Sequence, residues 1–374
     1  MARLPARCLL FACATLTACT APAQPAAVKL ALPAVKAEPT RVRAAPTRPA
    51  QLWPFTRLRG IDYVSVRDLA ARFGLKPAWS KPDQAMTLGD APGVRFTFEN
   101  NQRDFYLDGL RVFLGEPVLI HRDSLWVSKL DVIKIVAPLF QPADHLAFLP
   151  AAPPRLIVLD PGHGGTDPGT ENKKLGVNEK TFTLDVAFRL KKLLEAGGYR
   201  VLLTRDKDHR FSNSPAIDLP LRADFANKAG ADLFVSIHFN NAPEAITGVE
   251  TYAIPAQFMP STADTKPDDL TAAALPGNRQ DYANLLLGHQ IHRAMRTGLK
   301  TPDRGYKRAR WAVLCLLSCP GVLVECAYLS NDAEARRVAT PEFRQQIAEA
   351  LATGVQNYAA TLAALRPAPP LANK

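Results

Sequence analysis

Acidic residues are in deficit: 35 Asp and Glu stand against 46 Lys and Arg in 374 residues, a formal charge of +11. The excess favours an anionic partner such as nucleic acid, acidic lipid or an anionic wall polymer; a plainly basic soluble surface is the alternative. RNA-recognition, zinc-finger and helix-turn-helix signatures are missing, which argues against nucleic acid. Cysteine is also scarce. Cys8, Cys13 and Cys19 fall at the N-terminus, leaving Cys315, Cys319 and Cys326, an odd number that makes no disulfide framework. A Cys315–Cys319 bridge or metal thiolates stay open, and small buried hydrophobes are the preferred reading. The N-terminal apolar run, Cys8–Ala18, is too short to span a bilayer as a mature helix. With 47% hydrophobic and 22% charged residues the chain can build a sizeable core, as two domains or one large domain with appendages.

Arg3 and Arg7 precede that apolar run, as in an export signal over 1–18. It ends in Leu16-Thr17-Ala18-Cys19, which resembles the bacterial lipobox and implies a lipid anchor on Cys19. Thr20 after it implies the periplasmic face of the outer membrane, by resemblance to enteric lipoproteins. A secretory signal cleaved after a later alanine such as Ala23 is the other reading. Residues 19–52 are rich in Ala, Pro, Lys and Arg without apolar periodicity, and read as an extended tether. If polyproline-like, it reaches on the order of 90 Å.

Residues 53–149 carry a weak repeat, Val64-Ser65-x-x-Asp68 and Val127-Ser128-x-x-Asp131. Each copy follows an aromatic (Tyr63, Trp126) and opens a helix-like stretch, Arg67–Phe73 and Leu130–Val136. Strand-like alternations (Val94–Phe98, Phe105–Leu107) and the turn Asp108-Gly109 lie between. The module resembles the small α+β domain at the N-terminus of copper amine oxidases, which implies a wall-binding or partner-binding unit, or a spacer. Residues 154–362 alternate strand-like and helix-like segments, predicting an α/β domain with a mostly parallel twisted sheet flanked by helices. Glu179–Ala196 is predicted as a helix capped by Asn178, Tyr199–Thr204 as a strand, Arg222–Ala229 as a short helix, and Asp281–Met295 as an amphipathic helix. A last helix begins near Pro341, 255–278 reads as a long loop, and 363–374 as a tail.

Leu156–Asp160, Leu233–His238 and Val322–Glu325 read as buried parallel strands. Each delivers a polar, metal-competent or acid/base residue at or just after its C-terminal end, where active sites of open α/β sheets form. His163 follows Asp160-Pro161-Gly162, and Glu179 sits in the first turn of its helix, where the dipole favours a carboxylate. Two histidines, one carboxylate and the separate Glu325 suit a hydrolytic zinc site with an open position. Glu325 lies among apolar residues that would raise its pKa, and Asn240 is placed to hydrogen-bond a peptide amide. Singly, each residue has a bland reading as a surface or core histidine, a helix-start carboxylate or an ion-pair partner.

Over 156–358 the chain resembles the zinc-dependent N-acetylmuramoyl-L-alanine amidases that split septal peptidoglycan. The matching blocks are Leu159–Asp167, Glu179-Lys180, Thr204-Arg205-x-x-Asp208, Leu219-x-x-Arg222-x-x-x-Ala226-Asn227, Ala231–Asn240, Gly248–Tyr252 and Val322–Asn331. The resemblance implies one Zn2+ held by His163, Glu179 and His238, with Glu325 as catalytic carboxylate. It further implies peptidoglycan as substrate, a role in wall remodelling or daughter-cell separation, and room for a protein activator. A zinc carboxypeptidase or peptidase acting on wall peptides, or an inactive wall-binding lipoprotein, are the competing readings. Three departures stand out: extra residues between Asp208 and Leu219, Ala327 where Gly is common, and Cys315 where Arg is common. Some relatives plug the zinc with a helix; the candidates here are Asp264, Asp268 and Asp269, and an open or loop-gated site is expected.

Overall fold

The computed structural model describes residues 53–90, 93–262 and 270–366. The expected signal 1–18, Cys19 and the tether 19–52 lie outside the described residues. So do Asp264, Asp268 and Asp269, and 367–374 of the expected tail.

The first part opens with β1 (Thr56–Leu58), β2 (Ile61–Ser65) and α1 (Val66–Phe73). A meander follows: β3 (Lys76–Lys81), β4 (Ala85–Asp90), β5 (Gly93–Glu99), β6 (Asp104–Leu107) and β7 (Leu110–Phe113). It ends in β8 (Leu119–His121), β9 (Ser124–Ser128), α2 (Lys129–Asp131), a π-helical turn (Val132–Val136) and α3 (Ala137–Phe140). The repeat has a structural basis. Ser65 accepts from the Arg67 amide and Ser128 from the Asp131 amide, each capping the helix that follows. The two capped strands pair antiparallel, Val64 against Val127. Asp108 and Gly109, with φ of 50° and 75°, make the tight turn between β6 and β7.

The second part contains β10 (Leu156–Pro161), a hairpin of β11 (Glu171–Asn172) and β12 (Val177–Asn178), α4 (Glu179–Ala196), β13 (Arg200–Leu203) and α5 (Pro215–Ala229). Then come β14 (Leu233–Asn240), β15 (Val249–Ala253), α6 (Asp281–Leu299), β16 (Asp303–Arg308), α7 (Ala312–Cys315), β17 (Gly321–Tyr328), α8 (Asp332–Ala339) and α9 (Pro341–Leu365). Strands β13, β10, β14 and β17 are mutually parallel neighbours; β15 then runs antiparallel to β17 and parallel to β16. The mixed α/β class expected from the sequence is what the chain adopts. Alternate strand residues serve opposite faces. Ile157, Leu159, Val235, Ile237, Val322 and Val324 pack under α4, α6 and α9, while Val158, Phe234 and Leu323 pack under α5 and α7. The stripe Phe182, Val186, Leu190 and Leu194 seats α4, and Phe343, Ile347, Leu351, Val355 and Tyr358 seat α9.

The meander is not a detached neighbour of this sheet. Strand β7 pairs parallel with β16 (Val112 against Tyr306), so one sheet of eleven strands runs from β13 to β3. Helix boundaries also move. Helix α5 starts at Pro215 rather than Arg222, because Pro215 occupies the first helical turn and buried Asp218 ties Arg222 and the Phe211 amide to it. Helix α6 continues to Leu299, past the expected end at Met295. Helix α9 runs to Leu365, past the expected domain boundary at 362, because Leu365 still finds the core. No helix among the described residues is long and apolar enough to cross a membrane.

Candidate metal centre

The turn that leaves β10 is held from beneath by two buried arginines. Arg222 donates to Asp160 (2.9 Å), to the carbonyls of Pro161 (3.0 Å) and His163 (2.8 Å), and to Asp218 (2.7 Å). Arg205 donates to the carbonyls of Pro161 (3.0 Å), Gly162 (2.9 Å) and Lys180 (2.7 Å). Asp160 also accepts from Thr204 Oγ1 (2.7 Å) and Ser236 Oγ (2.8 Å). Burial alone would raise its pKa; the Arg222 charge and these hydroxyls outweigh burial and hold it below the usual carboxylate range. Asp160 is therefore the strut of the turn. The same scaffold keeps His163 in the left-handed region, φ 63°, which few non-glycine residues adopt.

That turn aims His163 Nε2 at Glu179 Oε1 (3.1 Å). From β14, His238 Nδ1 reaches the same oxygen at 2.9 Å. Asn178 caps α4, and buried Glu179 accepts the amides of Phe239 (2.9 Å) and Thr170 (2.8 Å), which fixes its carboxylate. Burial would raise the Glu179 pKa, but the His163 charge and the two imidazole hydrogen bonds drive it far below the usual range. Burial would lower His163, yet the Glu179 charge and then the Asp167 and Glu179 hydrogen bonds raise it to about 10. The other His163 nitrogen, Nδ1, meets Asp167 Oδ2 at 3.0 Å. A carboxylate behind a ligand imidazole sets its tautomer and orientation.

Two glycines make room for this convergence. A methyl at Gly162 would overlap the His238 ring, and one at Gly169 would lie 2.6 Å from Glu179 Oε2 and 2.7 Å from His163 Cδ2. Donor atoms of His163, Glu179 and His238 all lie within 4.8 Å of one another, the one such group of three among the described residues. Two imidazoles and a carboxylate aimed at a common point form a fitting donor set for a zinc ion. Glu325 stands opposite His238 in the strand register, partly buried, and its Oε2 has no hydrogen-bond partner. Burial raises its pKa well above the ordinary value, and the Glu179 and Glu250 charges push the same way. An unpartnered carboxylate oxygen beside a cation site fits the same conclusion.

The four residues expected to carry the chemistry are thus brought together. Asn240 is otherwise engaged: its Nδ2 donates to Glu250 (3.2 Å) and its Oδ1 accepts from the Asn241 amide (2.8 Å). Cys315, Cys319 and Cys326 are buried, as small hydrophobes are. Sequence reasoning missed Asp167, Gly169 and Glu250. Asp167 stood four residues after His163 within a block already singled out, and that spacing was the available signal. Glu250 faces Glu325 across β15 and β17, and accepts from Tyr252, Tyr328 and Lys307.

A family model described as N-acetylmuramoyl-L-alanine amidase matches residues 157–357, more than half the chain. An uncharacterized cell wall amidase of Bacillus anthracis is 33% identical over 207 residues, covering 54% of this chain and 35% of that protein. N-acetylmuramoyl-L-alanine amidase AmiC of Neisseria meningitidis is 33% identical over 226 residues, covering 54% of this chain and 52% of that protein. The chain thus spans about half or less of these relatives' length. Among solved structures, an N-acetylmuramoyl-L-alanine amidase of Clostridium difficile 630 is 28% identical, with a TM-score of 0.45, covering 57% of this chain and 99% of that one.

Proposed function

Since this chain belongs to the N-acetylmuramoyl-L-alanine amidase family, we propose that it hydrolyses the amide between the lactyl group of N-acetylmuramic acid and L-alanine of the stem peptide. The observation that carries this reading is the convergence of His163 Nε2 and His238 Nδ1 on Glu179 Oε1, with Glu325 alongside. A single zinc ion held by those three side chains would polarise the scissile carbonyl and acidify water.

Glu325 takes a proton from the attacking water at its unpartnered oxygen. The water oxygen adds to the lactyl carbonyl carbon, and Glu325 returns the proton to the alanine nitrogen as the C–N bond breaks. The products are a muramic carboxylate and a peptide with a free L-Ala amine. Asp167 keeps His163 oriented throughout, and Asp160 with Arg222 and Arg205 keeps the turn rigid. In this reading the enzyme works at the envelope in wall remodelling or daughter-cell separation, anchored through Cys19 on the periplasmic face of the outer membrane. Loss of labelled fatty acid from a Cys19→Ser chain tests the anchor; unchanged labelling overturns it.

The test of the activity is restoration. Metal-depleted protein should release no stem peptide from purified peptidoglycan, and zinc at one equivalent should restore release. Full activity after complete metal removal contradicts the reading.

A further inference from the structure

The edge that carries the metal centre does not stop at Glu325. Strand β15 reverses direction, so its beginning and that of β16 lie beside the end of β17. The edge therefore continues from Glu325 to Glu250 and on to Arg304. Between β15 and β16 the register slips: Val249 faces Asp303 and Thr251 faces Tyr306, so Arg304 and Gly305 together stand against Glu250. Such bulges re-aim a side chain next to active sites.

Arg304 is held where the bulge puts it. Its stem lies over Gly248, where a methyl would be 2.9 Å from Arg304 Cγ. Its Nε has no hydrogen bond and lies 3.8 Å from Glu250 Oε1, while the side chain keeps 36% of its surface exposed. Glu250 is already saturated by Lys307 Nζ (2.6 Å), the Tyr252 and Tyr328 hydroxyls (both 2.5 Å) and Asn240. Glu250 thus faces two cations, Lys307 and Arg304, of which Arg304 is the more exposed.

We propose that Arg304, aimed by the bulge and backed by Glu250, binds a carboxylate of the stem peptide on the far side of the scissile amide. Neighbouring strands are about 4.8 Å apart, so Arg304 lies roughly 10 Å from Glu325 across the sheet. An extended peptide covers about 3.5 Å per residue, so that span brings the second or third stem residue to Arg304. Both bear a free carboxylate when the second residue is γ-linked D-glutamate and the third a diamino dicarboxylic acid. A guanidinium pairs with such a group by charge-assisted hydrogen bonds.

This inference rests on the amidase reading. The probes are N-acetylmuramoyl tripeptides carrying free carboxylates, an amidated second residue, or an amidated third residue, each assayed with zinc-loaded wild type, Arg304→Gln and Arg304→Lys. Arg304→Gln should raise KM for the free-carboxylate substrate about tenfold with kcat little changed. It should have no effect on the one amidated form that has already lost the contacted group, and so identify the residue contacted. Arg304→Lys should recover part of the loss. Equal loss on all three substrates, or none on any, overturns the assignment while leaving the amidase reading intact. If the wild type leaves all three uncut, the amidase reading falls and this inference with it.

Discussion

In the proposed mechanism Glu325 and Asp167 do different work, and substitution should separate them. Glu325 Oε2 is unpartnered and free to move a proton. Glu325→Gln should cut turnover about 10²–10⁴-fold while zinc content, read by elemental analysis, stays at one per chain. Asp167 acts through His163 Nδ1. Asp167→Asn should weaken zinc binding about 10–100-fold in a chelator competition, and unchanged affinity would remove it from the metal's support. Asp160 makes a pH prediction. Its folded pKa is depressed, chiefly by Arg222 against the opposing effect of burial. Its stabilising contribution is therefore complete above its unfolded value of about 4, and is lost as pH falls through the lower folded value. Urea unfolding should show the wild type losing more stability below pH 4 than Asp160→Asn, which cannot titrate; parallel losses would contradict this. At this scale most of the candidate site was legible. Glu179 begins a helix, His163 follows a strand by two residues, and His238 and Glu325 lie toward the C-terminal ends of strands, all elements whose hydrophobic pattern is plain. Asp167 and Glu250 were not legible in role, because their partners come from a turn and from an antiparallel reversal that periodicity does not encode.

Among the elements, the β10 turn is the most constrained. Gly162 has the His238 ring where a side chain would begin, so Gly162→Ala must push that imidazole out of place. A shift of about an ångström breaks a ligand set, so zinc affinity should fall about a hundredfold or more, with far-ultraviolet dichroism unchanged. Wild-type zinc affinity in Gly162→Ala would show that the ring has room to spare. Helix α4 was readable to its ends, since Asn178 caps it, Phe182 to Leu194 stripe it and Gly197 follows it. Helix α5 was not. Pro220 lies inside it and exposed Ile217 and Leu221 break its amphipathic pattern, so only the half after Arg222 looked helical.

For the whole molecule, the join between β7 and β16 was invisible in the sequence, where 53–149 and 154–362 looked like separate units. Cross-strand pairing over almost two hundred residues leaves no local pattern. Yet Ala253, Ala256, Met259, Leu285 and Tyr306 of the second part belong to the core of the first. Lys134 pairs with Asp281 (3.0 Å), and Asp303 accepts the Arg111 amide (3.0 Å), across the same seam. Exposing Met259, Leu285 and Tyr306 alone would cost roughly 5 kcal/mol, comparable with the whole stability of a typical domain. Calorimetry of the zinc-loaded chain should therefore show one cooperative transition, and a chain starting at 154 should melt well below it. Two independent transitions, or an unchanged midpoint in the shortened chain, would make the first part a mere passenger.

The most direct test of the central claim is the chemical identity of the cut bond. Purified peptidoglycan digested with zinc-loaded protein should yield, by mass spectrometry, stem peptides with a free L-Ala amine and glycan strands bearing free lactyl carboxylates. Glu325→Gln at the same zinc content should yield neither. New termini within the stem peptide, with the lactyl–alanine amide intact, would contradict the account and make this site a peptidase.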